Sequence, residues 1–325
     1  LKTLEAFLST LELYDNVDIE IKRVEVSTID PHTTDWPFND TIVVSSSGND
    51  ATMATLGLDK RVDPMKILVT GYKGFIGRNM TVFLEKENIE WVGYEWGETK
   101  YSLKSIDRVI HLGAISDTTY DNIRQLLLQN YYFTETLVNE CNRAGIPIQI
   151  ASSASVYGID NTTFKESDFP APRNHYAWSK YLVEEYCNTH HFDIPVQVFR
   201  YFNVHGPMEG HKGDQASPHH KFRTQAIEKG TIKLFEGSEH FKRDFIHVDT
   251  ICNLHKRFFN VDISGTWNFG TGVATSFKTV ADSIALEYNS VIEFIPMPEK
   301  LKSSYQAFTK ADMSLTYDTL KEYEA

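Results

Sequence analysis

Two short stretches of this chain carry residue types that do chemistry. Thr70-Gly71-Tyr72-Lys73-Gly74-Phe75-Ile76-Gly77 is a glycine-rich turn. Well downstream, Tyr176-Ala177-Trp178-Ser179-Lys180 sets a phenol and an ammonium at i, i+4 spacing, on one face of a predicted helix. In the turn, Gly71 supplies the φ that a tight strand-to-helix corner demands, Gly74 lets the main chain approach a phosphate, and Gly77 allows close helix–strand packing. The helix opening near Phe75 then aims free N–H groups and its positive end at a pyrophosphate. An isolated glycine pattern is equally well a turn without a ligand. Here a strand precedes it and a helix follows, which is the context a dinucleotide loop requires. Glu95 closes the next strand where an acid reaches the adenosine ribose 2′-hydroxyl, which favours NAD and repels a 2′-phosphate. An ordinary solvated loop acid is an equal alternative, and Lys100 and Lys104 follow closely enough to offset the repulsion.

A free tyrosine titrates near ~10 and is a poor base at neutral pH. An adjacent ammonium favours the phenolate, so Lys180 is expected to lower the Tyr176 value. The phenol then takes or gives a substrate hydroxyl proton while hydride moves to or from a nicotinamide. Lys180 also reaches the nicotinamide ribose, and Ser153, at a strand end, can bond the same substrate oxygen. Tyr and Lys at this spacing are common helix decoration. What raises the pair above decoration is the order of parts within one sheet: glycine loop, serine-rich strand end, then Tyr and Lys.

The elements that must position these groups repeat as strand then helix. Lys66–Val69 reads as a buried parallel strand, Ile89–Tyr94, Arg108–Gly113, Ile148–Ala151 and Val196–Phe202 as further strands, and Phe75–Glu87, Ile123–Ala144 and His175–His191 as helices. Repeated βα units predict an α/β fold, a Rossmann-like doubly wound parallel sheet. After Asn203 the rhythm breaks. A helix near Phe222–Lys229, a strand at Lys233–Phe235 and the run Phe245–Val248 predict a smaller C-terminal substrate-binding lobe. We therefore expect a dinucleotide-binding domain over 65–201 with 247–274, and a substrate-binding lobe over 202–246 with 275–325. Residues 1–64 form an N-terminal extension without visible chemistry. In it we expect a helix over 1–13, strands at 17–26 and 41–44, and a turn at Ser45–Gly48.

The composition narrows the function classes. The chain has 325 residues, 41% hydrophobic and 23% charged, enough for a large core. Its net charge of -12 disfavours nucleic-acid binding. Cys141, Cys187 and Cys252 are far apart and without CxxC spacing, which predicts reduced thiols, no metal site and a cytoplasmic protein. No apolar run is long enough for a bilayer, and the acids among the first residues argue against a signal peptide.

At this point the chain resembles the extended short-chain dehydrogenase/reductase superfamily. The glycine loop, Leu112-Gly113-Ala114, Asn130-Tyr131, Ser152–Gly158 and the Tyr176/Lys180 pair carry that resemblance from about Met65 to the end. Within the superfamily, Arg200–Gly213, Leu234–Phe245, Lys300–Lys302 and Tyr305–Thr309 are similar to the ADP-L-glycero-D-manno-heptose 6-epimerases. The resemblance implies a nicotinamide dinucleotide, NADP in that group, with Glu95 leaving NAD open. It implies cofactor contacts from Gly71, Gly74, Phe75, Ile76, Gly77, Glu95, Trp96, Leu112, Gly113, Ala114, Ile115, Ser116, Asn130, Lys180, Val204 and Lys212.

Catalysis would fall to Ser153, Tyr176, Lys180 and Lys212, the last as a second acid/base group on the far side of the substrate carbon. An ADP-sugar would be held by Ser153, Asn203, Asp214, Lys221, Phe235, Glu236, Gly237, Ser238, Arg243 and Tyr305. Arg243 suits a diphosphate, because its fork makes paired charged hydrogen bonds. The implied activity is epimerisation at C6 of an ADP-heptose for lipopolysaccharide inner-core supply, in a homo-oligomer without membrane or nucleic-acid partners. A UDP-sugar 4-epimerase shares the fold and the Tyr/Lys pair. A silent dinucleotide-binding protein is the non-enzymatic alternative, against which the intact Ser153, Tyr176 and Lys180 argue. Asp214 and Lys221 depart from the family pattern, the stretch 96–107 is short for it, and the end at 316–325 reads as clipped before a last helix.

Overall fold

The computed structural model describes residues 64–98, 100–159, 162–298 and 306–324. The elements expected before residue 64, and Tyr305, lie outside the described residues. Six strands form one sheet: β1 (Lys66–Thr70), β2 (Glu90–Tyr94), β3 (Arg108–His111), β4 (Ile148–Ser153), β6 (Val196–Tyr201) and β10 (Gly265–Phe269). Their order is β10-β6-β4-β3-β1-β2, and every pair is parallel. The sequence is followed outward from β1 in both directions, so the order reverses between β1 and β3. A crevice opens at such a reversal, beyond the carboxyl ends of the strands.

Both faces of the sheet are covered, which is why its strands read as unbroken apolar runs. On one face Leu68, Val109, Ile148 and Val198 pack against α3 (Phe133–Ala144) and α4 (His175–Thr189) through Leu137, Cys141, Val183 and Cys187. On the other, Ile67, Val69 and Ile110 pack on Met80 and Leu84 of α1 (Phe75–Lys86) and on Val248 and Cys252 of α6 (Val248–Arg257). Phe199 and Phe269 extend that face toward Leu320 of α8 (Ser314–Glu324). A separate cluster joins α5 (Pro218–Lys229), β8 (Thr231–Phe235), α7 (Phe277–Tyr288) and β12 (Val291–Ile295). Strand β9 (Lys242–His247) lies beside β7 (Asn203–His205) and β11 (Ala274–Ser276).

Three sequence expectations change here. The helix expected over Ile123–Ala144 is α2 (Ile123–Leu127), a π turn (Leu128–Tyr132) and α3. The stretch 316–325, read as lying before a last helix, is itself helical through residue 324. Residues 314–324 form α8, fastened by Trp267 Nε1 donating to Thr319 Oγ1 (3.0 Å) and Thr316 Oγ1 donating to the Asn268 carbonyl (2.7 Å). Helix α5 begins at Pro218 rather than near Phe222, because Ser217 caps it, accepting from the His220 N–H at 3.2 Å. Between β2 and β3 the described residues of the short stretch 96–107 include no strand, and Tyr101 and Leu103 pack on the core. Among the described residues no helix is long and apolar enough to cross a membrane.

Candidate active site

A cleft of about 440 Å³ lies at the carboxyl end of the sheet. Its floor is the glycine loop. Gly71 has φ +71°, and a Cβ there would stand 2.5 Å from the Gly113 nitrogen. A Cβ on Gly77 would fall 2.0 Å from the Gly71 oxygen, so the first turn of α1 seats directly on the loop. Gly74 holds the N-cap position of α1 with no side-chain cap. Among the described residues the first-turn N–H groups therefore have neither intrahelical nor side-chain partners, the arrangement that fits a diphosphate.

The far wall of this cradle is set by a buried line of side chains. Thr70 Oγ1 and His111 Nδ1 are 2.6 Å apart, and His111 Nε2 meets Thr134 Oγ1 at 2.7 Å. Burial, helped by the nearby Lys180 charge, holds His111 far down, at about 3, so the ring is neutral. Asn130, read from the resemblance as a cofactor residue, is not among the residues lining the cleft. Its amide is fully engaged with the Ile115 N–H (2.8 Å), the Ile115 carbonyl (2.9 Å) and Ser179 Oγ (3.0 Å), so it braces the segment 112–116 from behind. Trp96, Ile115, Asp214, Lys221, Glu236, Gly237, Phe235, Ser238 and Arg243 are likewise not lining residues.

Physical reasons for those placements are visible. Trp96 turns edge-on to Phe133. Asp214 is exposed, and its carbonyl accepts from Lys221 Nζ at 2.7 Å. Arg243 donates to the carbonyls of Lys242 (3.0 Å) and Gln306 and lies over the Phe277 ring, 5.4 Å from its centroid. Phe235 ends β8, Glu236 and Gly237 follow it in the turn, and Ser238 is buried with no hydrogen-bond partner for Oγ among the described residues.

The structure brings Ser153, Tyr176, Lys180 and Lys212 to the same cleft, with Gly71, Gly74, Phe75, Ile76, Gly77, Glu95, Leu112, Gly113, Ala114, Ser116, Asn203 and Val204. Tyr176 opens α4, whose Asn174 cap accepts from the Ala177 N–H at 2.8 Å. Burial pushes the Tyr176 phenol above its ordinary value, and the hydrogen bond with Ser153 opposes that. This corrects the expectation that Lys180 sets the phenol. Lys180 instead donates to the Ala151 carbonyl at 2.7 Å, and burial lowers it to about 8 against the raising influence of Glu184. Lys212 comes from a separate segment, the short helical turn Gly210–Gln215 after β7, with its ammonium 5.2 Å from the centre of the Phe75 ring. Burial lowers it as well.

Beside the glycine loop, Glu95 is half-buried and accepts from the Lys73 N–H at 3.1 Å. Glu98 accepts from Lys73 Nζ at 2.7 Å and from the Glu95 N–H at 2.9 Å.

The sequence pattern of the NAD dependent epimerase/dehydratase family matches residues 67–270. The chain belongs to that family. Among solved structures, it is similar to the ADP-L-glycero-D-manno-heptose-6-epimerase of Helicobacter pylori at 23% identity, covering 82% of this chain and 93% of that one, with a TM-score of 0.71. It is similar to a UDP-N-acetylglucosamine 4-epimerase of Methanobrevibacter ruminantium at 21% identity, covering 79% and 92%, TM-score 0.69. It is similar also to the UDP-glucose 4-epimerase of Thermus thermophilus, solved with NAD, at 19% identity, covering 80% and 93%, TM-score 0.68. At such identities the likeness shows the fold that this epimerase/dehydratase chain shares with them.

Several lining residues of this family member escaped the sequence reading: Ser152, Tyr201, His211, Gln215 and Ser217. Ser152 and Tyr201 are held by buried partners on neighbouring elements. Ser152 Oγ donates to Glu184, which Arg200 grips through Nε (3.1 and 3.2 Å) and Nη2 (2.7 Å). Tyr201 bonds His255 Nε2, whose other nitrogen meets Gln149 Oε1 at 2.8 Å. The Ser217-Pro218 pair was a readable helix start; the buried partners had no local signal.

Proposed function

We propose that this chain is a nucleotide-sugar epimerase that inverts a carbinol carbon by oxidising it to a ketone and reducing it from the other face, with C6 of an ADP-heptose as that carbon. One observation carries the reading: Ser153, Tyr176 and Lys180 share a cleft with the glycine-loop helix, and Lys212 enters it from a separate loop. The C6 hydrogen of an alcohol is not acidic, so a base cannot remove it directly. A bound nicotinamide supplies the hydride acceptor and donor that avoids this. The residues of the chain then move protons and hold geometry. Tyr176, neutral through burial, is suited to give a proton to a carbonyl oxygen and to recover it, with Ser153 on the same oxygen. Lys212, its amine made easier to deprotonate by burial, serves the hydroxyl of the opposite epimer. The Arg200–Gly213 run and the likeness to the Helicobacter pylori enzyme support the ADP-heptose substrate.

For the cofactor we propose NAD. Glu95 reaches the cleft as a carboxylate, and Glu98 already takes the Lys73 ammonium, so that cation is not left to bind a 2′-phosphate. The test is direct. Purified protein is incubated with ADP-D-glycero-D-manno-heptose without added cofactor, and the sugar nucleotide is chromatographed. Appearance of the C6 epimer supports the reading. Turnover of UDP-galactose alone would replace it with a 4-epimerase, and turnover of neither would leave a silent dinucleotide-binding protein.

A further inference from the structure

The segment 206–217 carries Lys212 over the cleft, and its backbone is not relaxed. Met208 sits at φ +69°, a left-handed conformation that a residue with a side chain adopts only when its surroundings impose it. Gly213, inside the short helical turn Gly210–Gln215, breaks the helical path at φ 52°, ψ -124°. The side chain that holds this shape is Glu209, 1% exposed. One carboxylate oxygen accepts from the Gly206 N–H (3.0 Å) and from Ser217 Oγ (2.7 Å), the other from the Ser217 N–H (2.6 Å). A single buried carboxylate thus draws together the two ends of the segment. Its own carbonyl accepts from the Lys212 N–H at 2.9 Å, which fixes where the lysine leaves the backbone. On the cleft side, Asn79 of α1 donates to the Pro207 carbonyl at 3.0 Å, and the Lys212 ammonium lies over Phe75. On the far side, Lys221 of α5 donates to the Asp214 carbonyl.

We infer that Glu209 is a positioning residue for Lys212: its buried carboxylate ties Gly206 to Ser217 and so seats the Lys212 ammonium over the first turn of the dinucleotide helix. The inference rests on the reading of Lys212 as the second proton carrier. Glu209 also supplies a negative charge that acts on that amine. The groups acting on Lys212 are Glu209, which raises its proton affinity, Lys221, which lowers it, and the burial that lowers it most, beside the Phe75 ring. A carboxylate held by hydrogen bonds from two N–H groups and a hydroxyl is a strong tie, because bonds to an ionised acceptor are about twice as strong as neutral ones. Loss of one such tie is enough to change local opening by roughly tenfold or more.

The experiment needs no substrate. Glu209→Gln removes the charge, and Ser217→Ala removes the hydroxyl but keeps the charge. Each variant and the parent protein are acylated with acetic anhydride across pH against a free amine standard, and Lys212 labelling is read by mass spectrometry. Trypsin cleavage after Lys212 is timed in parallel. In Glu209→Gln the labelling midpoint of Lys212 moves to lower pH and cleavage accelerates by roughly tenfold or more. In Ser217→Ala cleavage accelerates while the midpoint stays. Unchanged midpoint and unchanged cleavage in a folded Glu209→Gln protein overturn the inference. Where that variant does not fold, unchanged cleavage in Ser217→Ala does so. The underlying reading fails separately, through full epimerase turnover by Lys212→Met, which leaves the labelling result standing.

Discussion

Replacing Glu95 by Gln should change which nicotinamide dinucleotide this protein holds. A 2′-phosphate carries about -1.5 to -2 charges near neutrality. Two unit charges ~4 Å apart interact by about 1 kcal/mol in water and about 4 kcal/mol at the effective dielectric typical of a protein surface. Glu95 is half-buried at the cleft, between those limits. Salt at physiological strength screens over about 8 Å, which trims the effect without removing it at contact distance. A repulsion of about 2–3 kcal/mol against NADP results, a preference for NAD of roughly 30-fold to 150-fold. Lys73 does not cancel it, since its ammonium is committed to Glu98 and its N–H to Glu95. Calorimetric titration of the nucleotide-free protein with each dinucleotide measures the preference. Glu95→Gln should narrow it mainly by strengthening NADP binding. Equal affinities in the parent protein, or a preference for NADP, would refute the argument.

Other outcomes follow from the same geometry. Tyr176→Phe should leave the fold intact and lower kcat by about 10²- to 10⁴-fold, checked by circular dichroism and initial rates. Gly77→Ala puts a methyl 2.0 Å from the Gly71 oxygen, so loop and helix must part by about 1 Å. Dinucleotide affinity should then fall by roughly tenfold or more in the same calorimetric assay. The thiols of Cys141, Cys187 and Cys252 are all buried and pushed up to about 12 by that burial. Ellman's reagent at pH 8 should find all three silent in the native protein and all three reactive in denaturant.

The parallel sheet was readable because its inner strands are buried on both faces: Ile67-Leu68-Val69 alternates between two separate clusters, so all three positions must be apolar. The glycine loop was readable because only glycine fits at Gly71 and Gly77. The π turn at Leu128–Tyr132 was not, since what accompanies it is distant: Asn130 reaches back to Ile115 and across to Ser179. Helix α8 likewise depends on Trp267, on Asn268 and on Arg257, which pairs with Glu324 of the helix; all three lie far from it in sequence. In the site, residue types were legible and their electrostatics were not. Tyr176 and Lys180 share a helix face, yet Lys180 turns to the Ala151 carbonyl, and burial governs both groups. Glu209 read as part of a motif, while its clamp on Ser217 became visible only when the segment closed on itself.

The central claim is that hydrogen leaves the inverted carbon as hydride and returns to it inside a closed cleft. Running the conversion of ADP-D-glycero-D-manno-heptose in D₂O and weighing the product by mass spectrometry tests this most directly. The account predicts the C6 epimer with no deuterium on carbon. Deuterium at C6 would show exchange with solvent and contradict it.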